Sequence, residues 1–284
     1  MVGMVLDSKT KKAICEFIYI QPRSVDEVAK FIGHNWRTTE RHISRISEED
    51  GCIITRTFRE GTRGALKIVY WRNTDKINST TFQESLLKKI EAANTKDDFD
   101  PFDIYQYVDD SKKHAFTELF DDPKISLKQN LIPFLMKSKE QLYIFSGNLS
   151  WITMTEHGKK MVEVIEKLVL KNVKIRILSR VDFSSVSNIQ TILSINNKTG
   201  KEMIEIRHCK QPLRGFIVDT TCSRFKEEKL VKNYNYGELH QNIRLFTEIY
   251  DQEWIDWLIK VFFYFFRNSL DATRRMEQLT KIHS

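Results

Sequence analysis

One stretch of this chain, residues 24–71, constrains its fold more than any other. Ser24 and Glu27 form the pattern of a capping box, in which an N-cap serine and a glutamate three residues later satisfy backbone donors reciprocally. Residues 33–35 then make a turn, and the last of them, an asparagine, is a suitable N-cap for a second helix over 36–49. Two short helices joined by a tight turn predict a helix-turn-helix.

The second helix of this pair is amphipathic. Thr39, Ile43 and Ile46 recur at helical spacing and are predicted to face the core. The opposite face is basic and carries a hydroxyl group, which suits a helix that reads the major groove of DNA. Its predicted base and phosphate contacts are Arg37, Thr38, Arg41, His42 and Arg45.

A β-hairpin is predicted directly after this helix. Residues 52–58 are rich in β-branched side chains, a loop with two glycines spans 60–64, and residues 65–71 form a second strand. The hairpin is also rich in arginine, so it could lie along the phosphates or enter the minor groove as a wing. We predict that Arg59 and Arg63 are the DNA contacts of this wing.

Length and charge narrow the class of protein. A chain of 284 residues is long enough for two domains, and 41% hydrophobic residues suffice for their cores. A formal net charge of +7 and an isoelectric point of about 9.1 suit a polyanionic partner without identifying it. Acidic residues are concentrated between residues 95 and 122, whereas the segment of the predicted winged helix is basic.

Cysteine and apolar patterns set further limits. The four cysteines show neither CxxC spacing nor a neighbouring histidine cluster, so we expect free thiols in a reducing cytoplasm, no metal site and no cofactor. The longest apolar run, residues 254–266, is interrupted by Asp256 and Lys260 and is shorter than the roughly 20 residues that span a membrane. We therefore expect a buried helix there, no membrane association and no secretion signal.

The chain is predicted to form two domains and a connecting segment. A helix over residues 8–20 completes the first domain, which we assign to residues 1–74. Residues 75–123 form a helical and acidic linker, whose helix over 80–93 carries an apolar stripe that must be buried. This stripe has two candidate partners, the second domain of the same chain or the same helix of a second copy.

The second domain, residues 124–284, alternates helices and strands. Such alternation predicts parallel strands joined by crossover helices, in a sheet with helices on both faces. The predicted strands are 142–147, 173–179, 204–209, 215–220 and 243–247. The predicted helices are 127–139, 156–171, 186–195, 253–267 and 270–282. Asp251 is predicted to cap the strongly apolar helix over 253–267.

Short segments carry a resemblance to a known family: Trp36–Arg41, Tyr143–Asn148, Ile206–His208 and Arg214–Asp219. With this layout, the chain resembles the archaeal TrmB-type transcription regulators. Those proteins join an N-terminal winged helix-turn-helix and a linking helix to a C-terminal phospholipase D-like domain. The resemblance implies a fold of the α+β and α/β classes. It also implies that the chain binds double-stranded operator DNA as a homodimer. Some members of the family respond to sugars, so a small-molecule effector is a candidate partner.

The resemblance also bears on catalysis. Active phospholipase D-like enzymes use the motif His-x-Lys-x-x-x-x-Asp, in which the histidine attacks phosphorus and the lysine neutralises the phosphate. If Asp219 is the aspartate, Pro212 and Arg214 occupy the histidine and lysine positions. If His208 and Lys210 are the pair, a glycine occupies the aspartate position. Neither register is complete, so we expect no catalytic residue and no enzymatic activity.

An inactive cleft can still bind a ligand. Open α/β sheets place their ligands at strand ends, and several cations are predicted there. Such cations could hold a phosphate or a carboxylate, although solvation is the alternative for each, and His208 could be an ordinary strand-end histidine. The candidate ligand-binding residues are Arg207, His208, Lys210 and Arg214.

The sequence therefore predicts a cytoplasmic, dimeric and sequence-specific DNA-binding regulator with a non-catalytic second domain. Two alternatives stay open. One is a phospholipase D-like nuclease or phosphodiesterase guided by a DNA-binding domain, which the incomplete motif disfavours. The other is an interaction module whose winged helix docks proteins, which the cationic rather than apolar face of the second helix disfavours.

Overall fold

The computed structural model describes residues 6–59, 65–72, 79–119, 130–234 and 238–281. The predicted wing loop with its Arg63 lies outside the described residues, and so does the start of the helix predicted over 127–139.

The first domain combines three helices with a small antiparallel sheet. The helices are α1 (Ser8–Ile20), α2 (Val25–Ile32) and α3 (Trp36–Glu49). The strands lie side by side in the order β1 (Arg23–Ser24), β3 (Leu66–Trp71) and β2 (Ile53–Phe58). This is the element order of a winged helix-turn-helix, as predicted for this segment.

Local capping interactions define the helix-turn-helix. Ser24 and Glu27 form both hydrogen bonds of the predicted capping box, with Glu27 N donating to Ser24 Oγ at 3.2 Å. Gly33 ends α2 in the left-handed conformation with φ of 68°, which a residue with a Cβ adopts only with strain. Asn35 then caps α3, because Thr38 N donates to its Oδ1 at 2.9 Å.

The second domain is built on a mixed sheet whose described part has eight strands. β5 (Gln141–Phe145), β8 (Lys174–Ser179) and β9 (Ile204–His208) run parallel to one another. The remaining strands pair antiparallel: β4 (Lys113–Leu119), β10 (Gly215–Val218), β11 (Cys222–Lys229), β12 (Ile243–Ile249) and β13 (Leu270–Asp271). Their order across the sheet is β13-β9-β8-β5-β10-β11-β12-β4.

The predicted domain boundary needs correction. β4 pairs with β12 over its whole length, so residues 113–119 belong to the sheet rather than to a separate linker. The strands predicted over 204–209 and 215–220 form β9 and β10. They follow one another along the chain, but β8 and β5 lie between them in the sheet. β11 was missed by the sequence analysis altogether, although it lies in the middle of the antiparallel half.

Alternating side chains on the strands separate two apolar layers. Leu142 and Ile144 of β5 face one layer, whereas Tyr143 and Phe145 face the other. Helices cover both layers, as predicted. The first is covered by α7 (Met161–Leu170), α8 (Val186–Thr199) and α10 (Ala272–Lys281), and the second by α4 (Ser79–Ala92) and α9 (Gln252–Arg267).

The apolar stripe of α4 packs against α9. Leu86, Ile90 and Ala93 are buried in the same layer as Trp254 and Phe262 of α9, so the second domain of the same chain covers the stripe. α9 begins as predicted at the N-cap Asp251, whose carboxylate accepts from two backbone N–H groups. No helix in the described part of the chain is long and apolar enough to cross a bilayer.

Two predicted helices are shorter than expected. α6 spans only Leu131–Leu135 of the described residues. The helix predicted from residue 156 begins at Met161, because a small hairpin of β6 (Thr155–Glu156) and β7 (Lys159–Lys160) precedes it. The two residues between these strands, His157 and Gly158, have φ of 49° and 75°. Positive φ at both central residues is the geometry of a tight hairpin turn.

The wing sheet packs on the second domain through a short helix, α5 (Phe102–Tyr105). The Phe102 ring lies 5.4 Å from that of Tyr70 and 6.5 Å from that of Phe58, both on the wing strands. Arg56 of β2 donates to the Tyr105 hydroxyl and, at 2.9 Å, to the carbonyl of Ala115. The two domains therefore share one apolar core.

A second contact joins α2 to the second domain. Asp26 N, in the first turn of α2, donates to Glu238 Oε1 at 3.3 Å, and both side chains are buried. Burial raises the pKa of Glu238 to about 7; the hydrogen bond from Asp26 N acts against this rise, and the charge of the Asp26 carboxylate acts with it. This carboxyl is therefore partly protonated near neutral pH.

Truncation of Phe102 tests the shared core. Phe102→Ala is expected to lower the free energy of unfolding by about 3–5 kcal/mol, because the ring is fully buried between the domains. Phe183→Ala is the control, since this ring is 59% exposed and its loss should cost about 0.5 kcal/mol or less. Urea denaturation of both variants makes the measurement, and equal effects would contradict the packing described.

The Glu238 contact predicts a pH dependence. Because its folded-state pKa of about 7 lies above the ordinary 4.5, the stabilisation by the protonated carboxyl is fully present below pH 4.5 and is lost as the pH rises through about 7. Glu238→Gln should remove this loss from the stability–pH profile. Glu202 is exposed, so Glu202→Gln serves as control and should keep the stability–pH profile of the parent. A parent-like profile in Glu238→Gln would show that Glu238 does not cause this pH dependence.

Candidate functional site

The structure divides the predicted contact residues of α3 into two groups. Arg37, Arg41 and Arg45 are exposed, as a nucleic-acid contact requires. Thr38 and His42 are only 7% and 4% exposed, so their assignment to the contact face is corrected. The core-facing stripe of α3 is wider than the three residues predicted, and it includes these two positions.

Burial also determines the charge of His42. Its ring lies 5.6 Å from that of His34, and its Nε2 has no hydrogen-bond partner among the described residues. Burial lowers the pKa of His42, with smaller contributions from His34 and Arg41. The ring is therefore neutral at pH 7 and adds no charge to the exposed face.

The exposed arginines of α3 differ in their partners. Arg45 forms an i,i+4 ion pair with Glu49 at 2.6 Å, on the solvent side of the helix. Within the described residues, Arg37 and Arg41 form no ion pair. An exposed ion pair such as that of Arg45 with Glu49 contributes only about 0–1 kcal/mol to stability, so Arg45 can exchange Glu49 for a phosphate at little cost.

The wing contributes fewer free cations than the sequence suggested. Arg56 is engaged with the second domain, as described above. Lys67 pairs with Glu40 and lies 5.2 Å from the centre of the Trp36 ring. Arg59 is exposed directly after β2, next to the undescribed loop that contains Arg63. We call the exposed set Arg37, Arg41, Arg45 and Arg59 the basic face.

The second domain contains a separate candidate site. A cavity of about 790 Å³ lies where the parallel strands β5 and β8 end. Residues 146–148 follow β5 and Arg180 follows β8, while Pro212 and Arg214 precede β10. We call this the sheet-end cavity. Its position is the one at which open α/β sheets bind ligands.

Arg214 has an unusual position in this cavity. Its Nη1 donates to the carbonyls of Gln211 and Leu213 at 2.9 and 2.7 Å. The guanidinium lies so close to Gly147 that a Cβ there would be 3.0 Å from Arg214 Nε. Burial lowers the pKa of Arg214, and the neighbouring charge of Arg180 lowers it further. Arg214 remains charged, since an arginine pKa stays far above 7.

A buried ion cluster forms another wall of the sheet-end cavity. Lys229 Nζ lies 2.9 Å from Asp100 Oδ2 and 2.5 Å from Glu227 Oε1. Glu227 Oε2 has no hydrogen-bond partner among the described residues, and burial raises the pKa of this carboxyl well above its usual value, with Asp100 adding to the effect. The proton affinity of Glu227 is therefore coupled to the charges of Asp100 and Lys229.

Three of the four predicted ligand-binding residues do not line the cavity. Arg207 lies 2.8 Å from a carboxylate oxygen of Glu205 and donates to the Phe266 carbonyl. His208 Nδ1 accepts from Val181 N at 2.9 Å, which matches the strand-end histidine considered as the alternative. Lys210 is exposed. Only Arg214 of the predicted set is part of the cavity.

The residues at the positions of the phospholipase D motif do not form a catalytic pair. Asp219 accepts hydrogen bonds from the backbone N–H groups of Lys139, Glu140 and Gln141 at 2.8–2.9 Å, so its carboxylate anchors the start of β5. Pro212 lines the cavity and has no nucleophilic atom. Among the described lining residues there is no histidine.

Comparisons with known proteins yield structural similarity only. No family model and no curated protein matches the sequence. The archaeal chromatin protein TrmBL2 superposes with a TM-score of 0.40 at 14% identity, over 93% of this chain and 94% of that one. The phospholipase D family member Nuc from Salmonella typhimurium gives 0.38 at 8% identity, over 56% of this chain and 98% of that one.

NucT from Helicobacter pylori is similar to the same extent, with a TM-score of 0.38 at 13% identity over 56% of this chain and 99% of that one. These similarities are weak. The fold class follows from the element order and the sheet described above, a winged helix-turn-helix followed by an α/β domain built on a mixed sheet.

Proposed function

We propose that this protein is a sequence-specific, double-stranded DNA-binding transcription regulator of the TrmB type, acting in the cytoplasm as a homodimer. The observation that carries this proposal is the basic face. Its α3 members stand on the exposed side of the second helix of a helix-turn-helix, and the other side of that helix is core. Cations held on a rigid helix beside a hairpin match the shape and charge of a major groove and its phosphates.

The positions of the four arginines suggest separate roles. In helix-turn-helix proteins, residues near the start of the second helix contact base edges. Arg37 and Arg41 lie in the first two turns of α3 and suit bidentate contacts with guanine. Arg45 lies one turn further along, and Arg59 lies on the wing. Both suit phosphate contacts, which position the protein without reading sequence.

Docking of the wing would fix the geometry of the proposed dimer. Because the wing shares a core with the second domain, a dimer formed through that domain would hold two α3 helices at a fixed separation. Half-sites of such dimers lie about 34–36 Å apart, or a multiple of this distance. The operator would then be a palindrome with a defined spacing.

The second domain is proposed to be a non-catalytic sensor. In an enzyme this cavity would hold the reacting phosphate, but here a proline occupies the histidine position of the motif. The His208 side chain instead accepts a hydrogen bond from a backbone N–H group. An effector bound there could reach the wing through Asp100, which lines the cavity and accepts from Phe102 N at 2.7 Å in the first turn of α5. Metal-independent phosphodiester cleavage that is lost in His208→Ala would contradict this proposal.

Arginine substitutions on α3 test the proposed DNA contacts. Arg41→Ala is expected to cost about 1–3 kcal/mol of binding free energy and to relax specificity at one base pair, because a base contact is lost. Arg45→Ala is expected to weaken binding to all sequences alike and to lower the salt slope by about one, because a phosphate contact is lost. Fluorescence anisotropy with a selected DNA fragment, repeated across salt concentrations, makes both measurements.

The exposed Arg274 of α10 provides the matched control. It is an arginine on an exposed helix surface of the other domain, so Arg274→Ala should bind DNA as the parent does. Parent-like binding by both Arg41→Ala and Arg45→Ala would refute α3 as the recognition helix. A partner complex that is insensitive to salt, without DNA binding, would favour the protein-docking alternative instead.

A further inference from the structure

The sheet-end cavity contains a guanidinium, that of Arg214, whose hydrogen-bond partners are uncharged. Within the described residues Arg214 forms no ion pair, and the protein acceptors of its Nη1 are two backbone carbonyls. Such carbonyls satisfy hydrogen bonds but do not offset a net charge. A largely buried cation that keeps its charge gains from an anion that enters the cavity.

Several other cations around the cavity form ion pairs. Lys229 has Asp100 and Glu227, Arg224 lies 2.6 Å from Glu248, and Lys96 and Lys226 both contact Glu228. Arg180 pairs with the exposed Asp182 at 2.6 Å, outside the cavity lining. Asp100, Glu227 and Glu228 thus already have cationic partners, and Arg214 differs from the cations named here in having no ion pair among the described residues.

A second positive charge stands near Arg214. Arg180 lines the same cavity, and its charge lowers the pKa of Arg214, whereas the charges of Glu228 and Asp97, neither of which forms an ion pair with Arg214, act in the opposite direction. Two guanidinium groups at one end of a cavity repel each other, and a dianion offsets that repulsion better than a monoanion does. Phosphate esters carry this charge and match the planar donors of arginine with paired oxygens.

The rest of the cavity suits an organic body. Its walls include the apolar side chains of Leu131, Phe145, Trp151, Met154 and Phe216. Trp151 and Phe216 contact each other edge to face, with ring centres 5.4 Å apart. A volume of about 790 Å³ lies in the range of small-molecule sites and far exceeds that of an inorganic ion.

We propose that the sheet-end cavity binds a small organic phosphate, with the phosphate group at Arg214 and Arg180 and the organic part against Trp151 and Phe216. Pro212 supplies no nucleophile, so the ligand stays intact. The ligand acts on DNA binding through the Asp100–Phe102 contact, and this regulatory part rests on the proposed function. Binding of the ligand itself does not.

Direct titration tests the site. Inorganic phosphate, AMP with adenosine, and glucose 6-phosphate with glucose are titrated calorimetrically into the full-length protein without DNA. Inorganic phosphate should bind weakly, and at least one phosphorylated compound should bind about tenfold or more tightly than its unphosphorylated counterpart. Arg214→Gln should lose this gain, because one charged hydrogen-bond partner corresponds to about a tenfold change or more.

Three further variants make the result specific. Gly147→Ala should weaken phosphate binding in the same way, because its methyl group would displace the Arg214 guanidinium, and it covers the case that Arg214→Gln does not fold. Lys210→Gln, exposed and outside the cavity, should bind as the parent does. Arg41→Ala should also bind as the parent does, since it lies on the basic face.

Several outcomes would overturn the proposal. They are no binding of inorganic phosphate at millimolar concentration, equal binding of both members of each pair, parent-like binding by folded Arg214→Gln and Gly147→Ala, or loss of binding in Arg41→Ala. Repeating the DNA titration with the bound compound measures coupling, and unchanged DNA affinity would overturn the regulatory part alone. Failure of DNA binding itself would leave the calorimetric result unaffected and would refute only the proposed function.

Discussion

Burial of the wing sheet against the second domain is the constraint on which the arrangement of the whole chain depends. Tyr70 and Phe58 would be exposed on an isolated winged helix, and here they close one apolar core with Phe102. In this arrangement Arg56 is not available to contact DNA, because its donors face the Tyr105 hydroxyl and the Ala115 carbonyl. The basic face is consequently narrower than its arginine content suggests, and it is presented from a domain that does not pivot freely.

Charged side chains link the cavity to this shared core. Asp100 accepts from Lys229 on β11 and, through its other oxygen, from Phe102 N in α5. Buried ion pairs stabilise a fold little on balance, but breaking one partner is costly, so their geometry is strongly specified. A ligand that competes for Lys229 or shifts Asp100 would therefore move the start of the helix on which the wing rests. This is a physical route by which the two proposed activities are coupled.

Local signals in the sequence predicted much of the fold. The capping box at Ser24, the cap at Asn35 and the cap at Asp251 are short-range hydrogen-bond patterns, and all three occur as predicted. β11 was not predicted because its sequence, CSRFKEEK, lacks apolar alternation, and some of its charges are satisfied by partners far along the chain, such as Glu248 and Asp100. Thr38 and His42 were misplaced because the buried stripe of α3 is wider than the spacing of its apolar residues.

Only part of the ligand site could be found in the same way. All four candidates were predicted from their places near strand ends, but the order of strands separates Arg207 and His208 from the cavity, and of the four only Arg214 lines it. Arg180 could have been found, since it directly follows a parallel strand, and such strand ends share one edge of a sheet.

Selection of genomic DNA fragments by the purified protein, repeated across salt concentrations, is the most direct test of sequence-specific DNA binding. We expect an enriched short palindrome whose affinity falls steeply with salt; weak binding with no enriched motif would contradict a sequence-specific regulator.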